Sequence, residues 1–367
     1  MWFNFFLKFG IIKKVKIMNK YSFKEINSDE FAAFSQSHKQ NHIFQTIAWS
    51  QVKANWSHCF LAVFQADQIV AATLVLKRDL KFGYKFAYLP RGPLLDFTNQ
   101  ELKQYFFKNL KINLKKDRCL LVKLDPNLKI ASLEFEQQSE VATCQNPALV
   151  KSLTDCGLVH NGYVLEISQA IQPRIQLGFP IEDSVEKIDA RIGRKTMKKV
   201  RASMRKGVEF RFESDASNLA KLINYTEKRH HIHLRNEQYF NAILKAFKED
   251  ATVLTAYIDD IPIASCLLVK SQSQAEILYS GYHDDYKKYN STYPMRYQAI
   301  LWAFKNHCQC FNFGGVEGTL DDGLTMFKSA FRPLIDVYIG EFDLLTFPIV
   351  SKLLSKMFYK LKNKVKI

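Results

Sequence analysis

FLAVFQADQIVAATLVLK (60–77) aligns without gaps on VLTAYIDDIPIASCLLVK (253–270). Each stretch reads as strand, short turn, strand, and each ends in lysine. The sequence that follows repeats as well. FAYLPRG (86–92) and ILYSGYH (277–283) read as a further strand. QELKQYFFKNLKINL (100–114) and YPMRYQAILWAFKNH (293–307) read as helices, and CLLVKLDP (119–126) and CFNFGG (310–315) as a closing strand. Hairpin, strand, helix, strand recurring at one spacing implies two copies of one α/β fold, a duplication on the scale of a domain.

Size agrees with that reading. The chain has 367 residues, 47% of them hydrophobic, enough for two domains that each bury a core. The first is expected over residues 21–165, completed by 340–367, and the second over 166–339. The turn-rich stretch 167–184 joins them. The basic stretch 191–206 reads as the first helix of the second half. In 214–230, Ser214 or Ser217 can cap a helix with an apolar stripe of Leu219, Leu222 and Ile223.

Net charge is +16, with a pI near 9.4. The excess is localised. Residues 1–20 hold five lysines and no acid, 191–206 hold eight basic residues and no acid, and 350–367 hold six lysines and no acid. The rest of the chain is therefore net acidic. Such patches mark binding surfaces for polyanions or anionic membranes. The tail sets Ile349, Leu353, Met357 and Leu361 on one helical face with lysines opposite.

Residues 1–20 place their apolar run before their lysines, the reverse of a signal peptide, and the run is too short to span a bilayer. They read as an upstream extension, with Met18 as the start, or as a membrane-surface arm. No other stretch is apolar enough to cross a membrane. Seven scattered cysteines, with only Cys308 and Cys310 close together, read as reduced thiols of a cytoplasmic protein. His230, His231 and His233 lack a fourth ligand at helical spacing, so no metal site is expected.

Hairpin, strand, helix, strand is also the core order of the N-acyltransferase (GNAT) fold, which cradles coenzyme A pyrophosphate on a glycine-rich turn before the central helix. The corresponding stretch here, HDDYKKYNSTYPMRY (283–297), has no glycine. A different acyl donor is expected.

FQTIAWSQVKANW (44–56), YLPRGPLLD (88–96), LDP (124–126), RHHIHLRNEQYF (229–240), FNFGGVEGTLDDGLTMFKSAF (311–331) and YIGEFDL (338–344) together resemble the FemABX aminoacyltransferases. The motifs run in family order along nearly the whole chain. The resemblance implies two tandem GNAT-like domains, each a mixed twisted sheet flanked by helices. It implies transfer of an amino acid from aminoacyl-tRNA to the stem-peptide amine of a muropeptide precursor, UDP-linked or lipid-linked, by a monomer without cofactor or metal. No heptad-rich arm appears between 184 and 253, so the chain resembles the arm-less members.

By position, the resemblance makes Lys53 and Asn55 precursor contacts, and Arg235 and Tyr239 a phosphate-binding pair. Tyr279 falls near the same ligand, Asp125 matches an acid proposed as base, and Phe327 with Lys328 stands beside the reacting ester. Leu120 replaces an aromatic contact of some relatives.

Elementary chemistry supports several of these roles. Arg235 can clamp a phosphate in bidentate fashion, and Lys53 adds a point charge. Lys328 between Phe327 and Phe331 can hold a developing oxyanion in a dry pocket. The plainer readings are two surface cations, an Asp-Pro turn at Asp125, and a lysine snorkelling from an amphipathic helix. Two other functions compete with tRNA-dependent transfer: an acyl-coenzyme A-dependent N-acyltransferase, and a non-catalytic tRNA- or membrane-binding protein.

Overall fold

A computed structural model describes residues 20–230 and 233–365. The readings of residues 1–19 and of His231 fall outside them. The strands are β1 (Tyr21–Ile26), β2 (Ser57–Gln65), β3 (Gln68–Asp79), β4 (Lys85–Leu89), β5 (Leu94–Leu95), β6 (Cys119–Leu124), β7 (Lys129–Leu133), β8 (Leu158–His160), β9 (Ile175–Pro180), β10 (Glu209–Glu213), β11 (Ala251–Ile258), β12 (Ile261–Ser271), β13 (Gln274–Tyr282), β14 (Cys310–Gly315), β15 (Leu334–Tyr338) and β16 (Phe342–Leu344). They form two mixed sheets. One runs β1-β2-β3-β4-β6-β16-β8, with β5 beside β3, and the other β10-β11-β12-β13-β14-β9-β15-β7.

The quoted hairpins are β2–β3 and β11–β12, and their registers carry the duplication to single residues. Each pairing shifts once, between Val63 and Phe64 in the first and between Ala256 and Tyr257 in the second. These are aligned positions in the two sequence stretches. Pairing extra residues against the partner strand bends the ribbon, so both copies curl at the same place.

The hairpins read as unbroken apolar runs because both faces are buried. In the first, Leu61, Val63 and Val75 face a core shared with the helix Gln100–Lys116. Phe60, Phe64 and Leu74 face the other way, into a core that also contains Leu219, Ile223, Phe240, Val253, Leu267 and Val269. That second core lies between the two halves and joins them. The remaining faces of β11 and β12, with Leu254, Cys266 and Leu268, build a third core under the helix Thr292–Lys305.

The halves also exchange strands. β16, which follows the second copy, returns to the first sheet between β6 and β8, and β7, within residues 21–165, pairs with β15 of the second sheet. The basic stretch 191–206 is not one helix. Val185–Ile192 and Arg194–Met204 are separated by Gly193, whose φ of +85° a side chain would strain and against which the Arg332 guanidinium packs. The C-terminal helix Pro348–Val365 packs Phe358 into the shared core. Among the described residues no helix is long and apolar enough to cross a membrane.

Candidate active site

The two copies differ at the parallel strand pair. In the first sheet β4 and β6 stay paired from Lys85↔Cys119 through Leu89↔Leu124. In the second, β13 and β14 pair only over Gln274↔Cys310, Ala275↔Phe311 and Glu276↔Asn312. Beyond that point β13 carries an unpaired residue, Leu278, since its register to β12 jumps from Leu268↔Ile277 to Leu267↔Tyr279. The strands separate, and Gly314, with φ of +84°, and Gly315 border the opening. Backbone groups freed by such a split are available to a ligand.

Lys328 enters beside this opening. Its helix, Gly323–Ser329, is capped by Asp322, which accepts from the backbone N–H groups of Leu324 and Thr325 at 2.9 and 3.0 Å. Thr325 and Lys328, one turn apart, both point inward. Lys328 is only 5% exposed, and its Nζ donates to the Gly315 carbonyl at 2.9 Å. A snorkelling lysine would keep its ammonium in water, and this one does not. Burial lowers its pKa to about 7, Arg296 adds to the effect, and Asp322 opposes it. Phe327 lies edge-on to Tyr293 and Phe331, with centroids at 5.0 and 6.0 Å, and Phe331 is fully buried.

Lys53, Arg235, Tyr239 and Tyr279, four of the expected ligand residues, line one cavity of about 220 Å³ between the halves, with Trp49 and Trp56 among its walls. Lys53 ends the helix Ile47–Val52, and its Nζ lies 5.2 Å from the Trp49 ring centroid and 5.4 Å from that of Tyr239. Burial, then the neighbouring Arg235, brings Lys53 down to about 8. The Arg235 guanidinium stands 5.0 Å from the Tyr239 ring centroid. Burial holds both tyrosines above the usual phenol range. Two cations beside aromatic walls make an anion site with a stacking surface.

The cavity connects to Lys328 by covalent and packing contacts. Ile171 and Gln172 line it, and Pro173 packs so closely on Gly315 that an added Cβ would meet it at 2.2 Å. Leu278 and Tyr279 line it from β13, at the split itself.

Other expected residues are placed differently. Asn55 is exposed in the turn after Lys53 and does not line the cavity. Asp125 is buried behind it. Its carboxylate accepts from the Tyr88 hydroxyl at 2.8 Å and the Arg91 backbone N–H at 3.1 Å, and lies 3.5 Å from the Arg91 Nε. Burial raises Asp125 to about 6, against the pull of Arg91. This arrangement positions Tyr88, a cavity wall. Leu120 is half-buried on β6, where its carbonyl accepts from Ser351 of the C-terminal helix. His233 is exposed, and no cluster of three metal-ligating side chains occurs among the described residues.

Two features escaped the sequence reading. Arg91 and Arg296 lie within YLPRGPLLD and YPMRY, yet each is almost fully buried, at 2% and 4% exposure. The available signal was a cation inside an apolar segment. The second feature is where the basic stretch sits. Arg194, Lys195, Lys198, Lys199, Arg201 and Arg205 are exposed on one face of their helix while Met197 and Val200 are buried on the other. Lys199 donates to the Tyr293 hydroxyl at 2.9 Å, and Tyr293 packs on Phe327. A cationic surface thus leads to Lys328.

Known proteins resemble this chain in sequence and in fold. The UDP-N-acetylmuramoylpentapeptide-lysine N(6)-alanyltransferase of Weissella viridescens is 26% identical over 329 residues, spanning 86% of this chain and 92% of the relative. The lipid II:glycine glycyltransferase of Staphylococcus haemolyticus is 21% identical over 395 residues, spanning 87% and 91%. The crystal structure of FemX superposes with a TM-score of 0.79 at 20% identity, covering 92% of this chain and all of FemX. A tandem GNAT protein from the clavulanic acid pathway superposes over 89% of this chain and 99% of its own, at 0.53 and 8% identity, which bears out the two GNAT-like domains. The model of the FemAB family matches residues 26–260 and 256–363, so the chain belongs to the FemAB family.

Proposed function

We propose that the protein is an aminoacyltransferase that moves an amino acid from aminoacyl-tRNA to the stem-peptide amine of a peptidoglycan precursor. The observation that carries this reading is Lys328: a buried lysine at the split of β13 and β14, approached by an exposed basic helix and joined through Pro173–Gly315 to a cationic, aromatic cavity. The basic helix suits the tRNA backbone. The Lys53–Arg235 cavity suits the phosphates of the precursor.

Chemistry then proceeds at Lys328. The acceptor amine attacks the ester carbonyl, a nitrogen–carbon bond forms, and negative charge grows on the carbonyl oxygen. The Lys328 ammonium stabilises that charge in a site where water is excluded, an effect typically worth about 2.7–4 kcal/mol. The carbon–oxygen ester bond then breaks, and the proton lost by the amine ends on the departing ribose oxygen. The ester is activated already, so no cofactor is required.

Acyl-coenzyme A is the weaker donor on electrostatic grounds. The turn before the helix Thr292–Lys305 presents Asp284 and Asp285, where the related fold holds pyrophosphate, and Asp284 already engages Arg229 and Lys287. The acceptor is lipid-linked in this reading, because the C-terminal helix leaves Ile349, Leu353 and Met357 at 87%, 59% and 43% exposure beside its lysines. That face suits the headgroup region of an anionic membrane, and the protein works as a peripheral cytoplasmic monomer.

Charged tRNA pools labelled in the amino acid, offered with the UDP-linked and then the lipid-linked precursor, test the reading. Label should enter the precursor, faster with the lipid-linked form. Transfer from acyl-coenzyme A with none from charged tRNA would refute it.

A further inference from the structure

The opening between β13 and β14 has a cation on each lip. Lys328 is tethered to the β14 side through Gly315, and Arg296 to the β13 side, where its Nη2 donates to the Ser280 hydroxyl at 2.9 Å. Arg296 comes from the first turn and a half of the helix Thr292–Lys305 and is 4% exposed. Its Nε and Nη1 are buried with no oxygen or nitrogen partner, and the guanidinium also touches the weakly accepting Cys266 thiol. Its guanidinium lies 6.0 Å from the Phe327 ring centroid. Neither Arg296 nor Lys328 has a carboxylate within ion-pairing distance among the described residues.

Two buried cations without a counter-ion, one of them with unsatisfied donors, are costly for the protein alone. Resting on the functional reading above, we infer that Arg296 is a second donor to the acyl ester: its free guanidinium N–H groups take the carbonyl oxygen opposite the Lys328 ammonium. Both then bind that oxygen most strongly as the acceptor nitrogen bonds to carbon and the oxygen gains charge. They relax as the carbonyl re-forms, the ester carbon–oxygen bond breaks and the amine proton passes to the ribose oxygen. Arg296 also sets the protonation of its neighbour. The charged and titratable groups around Lys328 are Arg296, the capping Asp322 and, beyond Arg296, the Cys266 thiol, which burial pushes up to about 11. Tyr293 and Lys199 complete the ring behind Phe327.

Single-turnover transfer in the full-length protein tests this with Arg296→Met and Arg296→Lys. Arg296→Met should lower the rate by about a hundredfold with donor affinity little changed. The limb of its pH profile that reports Lys328 should rise from near 7, because a repelling charge has gone while the burial that lowers it most remains. Arg296→Lys should keep the limb near 7 yet restore only part of the rate, since a point charge replaces a fork. NMR titration of the labelled Lys328 side chain, without substrates, reads the same midpoint. An unmoved midpoint overturns the inference whatever the rate, since a packing defect alone leaves Lys328 titrating as before. An unmoved rate in Arg296→Met overturns it too. Absence of transfer by the unaltered protein from every charged tRNA condemns both the ester-contact assignment and the functional reading, whereas an unmoved midpoint or rate beside an active parent condemns the former alone.

Discussion

Thr196 donates its hydroxyl to the carbonyl of Ala330 at 2.6 Å. That bond fastens the buried face of the basic helix Arg194–Met204 to the residue that ends the Lys328 helix. The exposed cations and the buried amine are therefore parts of one assembly, and the behaviour of one should report on the other.

Reversing Lys195 and Lys198 to glutamate should weaken binding of aminoacyl-tRNA without unfolding the protein, because both are exposed. Each lost phosphate contact should reduce the slope of log affinity against log salt by about 0.7–0.9. Affinity measured across a salt series checks this. A slope equal to that of the parent would remove the helix from the tRNA surface.

Lys328→Ala should slow single-turnover transfer by about a hundredfold or more, with little change in affinity for either substrate. The ammonium is the active form, and its pKa is lowered to about 7, so the Lys328-dependent rate should decline as pH rises through that value. Lys328→Arg should lose this limb and recover only part of the rate. Asp125→Asn provides the contrast. It loosens the Tyr88–Arg91 anchor, so stability should fall while the rate per folded molecule changes far less.

Stability should respond to Lys328 in the opposite sense. In the unfolded chain its amine holds a proton up to about 10.5, but in the fold only up to about 7. Between those values the unfolded state binds more protons, so this group lets stability rise with pH, and its penalty is complete below 7. Lys328→Met, nearly the same volume, should raise the melting temperature by at least about 2–4 °C at pH 6. The gain should shrink toward pH 10. Calorimetry at both pH values decides it.

Arg235→Lys should weaken binding of the phosphate-bearing precursor by roughly tenfold, as one charge-assisted hydrogen bond is lost. Lys53→Ala should act on the same ligand. Because Lys53 and Arg235 line one cavity and interact electrostatically, the double variant should depart from additivity. Isothermal calorimetry gives all three affinities, and strict additivity would place the two residues on separate ligands.

Replacing Ile349, Leu353 and Met357 together by serine should reduce binding to anionic vesicles by more than about tenfold and spare the fold, since all three are exposed. Flotation with vesicles and circular dichroism measure the two effects. Transfer to a soluble precursor should be unchanged.

The duplication was legible in residues 60–77 and 253–270 because a hairpin is a local structure. Its alternation and turn chemistry lie within eighteen residues, and even the recurring register shift follows the alignment. The motifs around Lys53, Arg235, Tyr239, Tyr279 and Lys328 were legible for a similar reason: a charge or aromatic in a short recognisable stretch survives without knowledge of its neighbours. Asn55 belongs to such a stretch too, but one more residue of turn carries it to the surface.

Sequence alone determined two α/β copies, the lack of a glycine cradle for pyrophosphate, and the local chemistry of a Phe-Lys pair. Tertiary structure decided which copy opens. β4 and β6 stay zipped while β13 and β14 part at Glu276↔Asn312, and nothing local to either strand states that difference. It also decided that Lys328 is a buried amine lowered to about 7 rather than a snorkelling cation, that Asp125 anchors Arg91, and that Arg296 stands near enough to Lys328 to repel its charge. Burial and long-range charge set these properties. Both depend on which segments distant in sequence pack together, and one-dimensional periodicity does not record that.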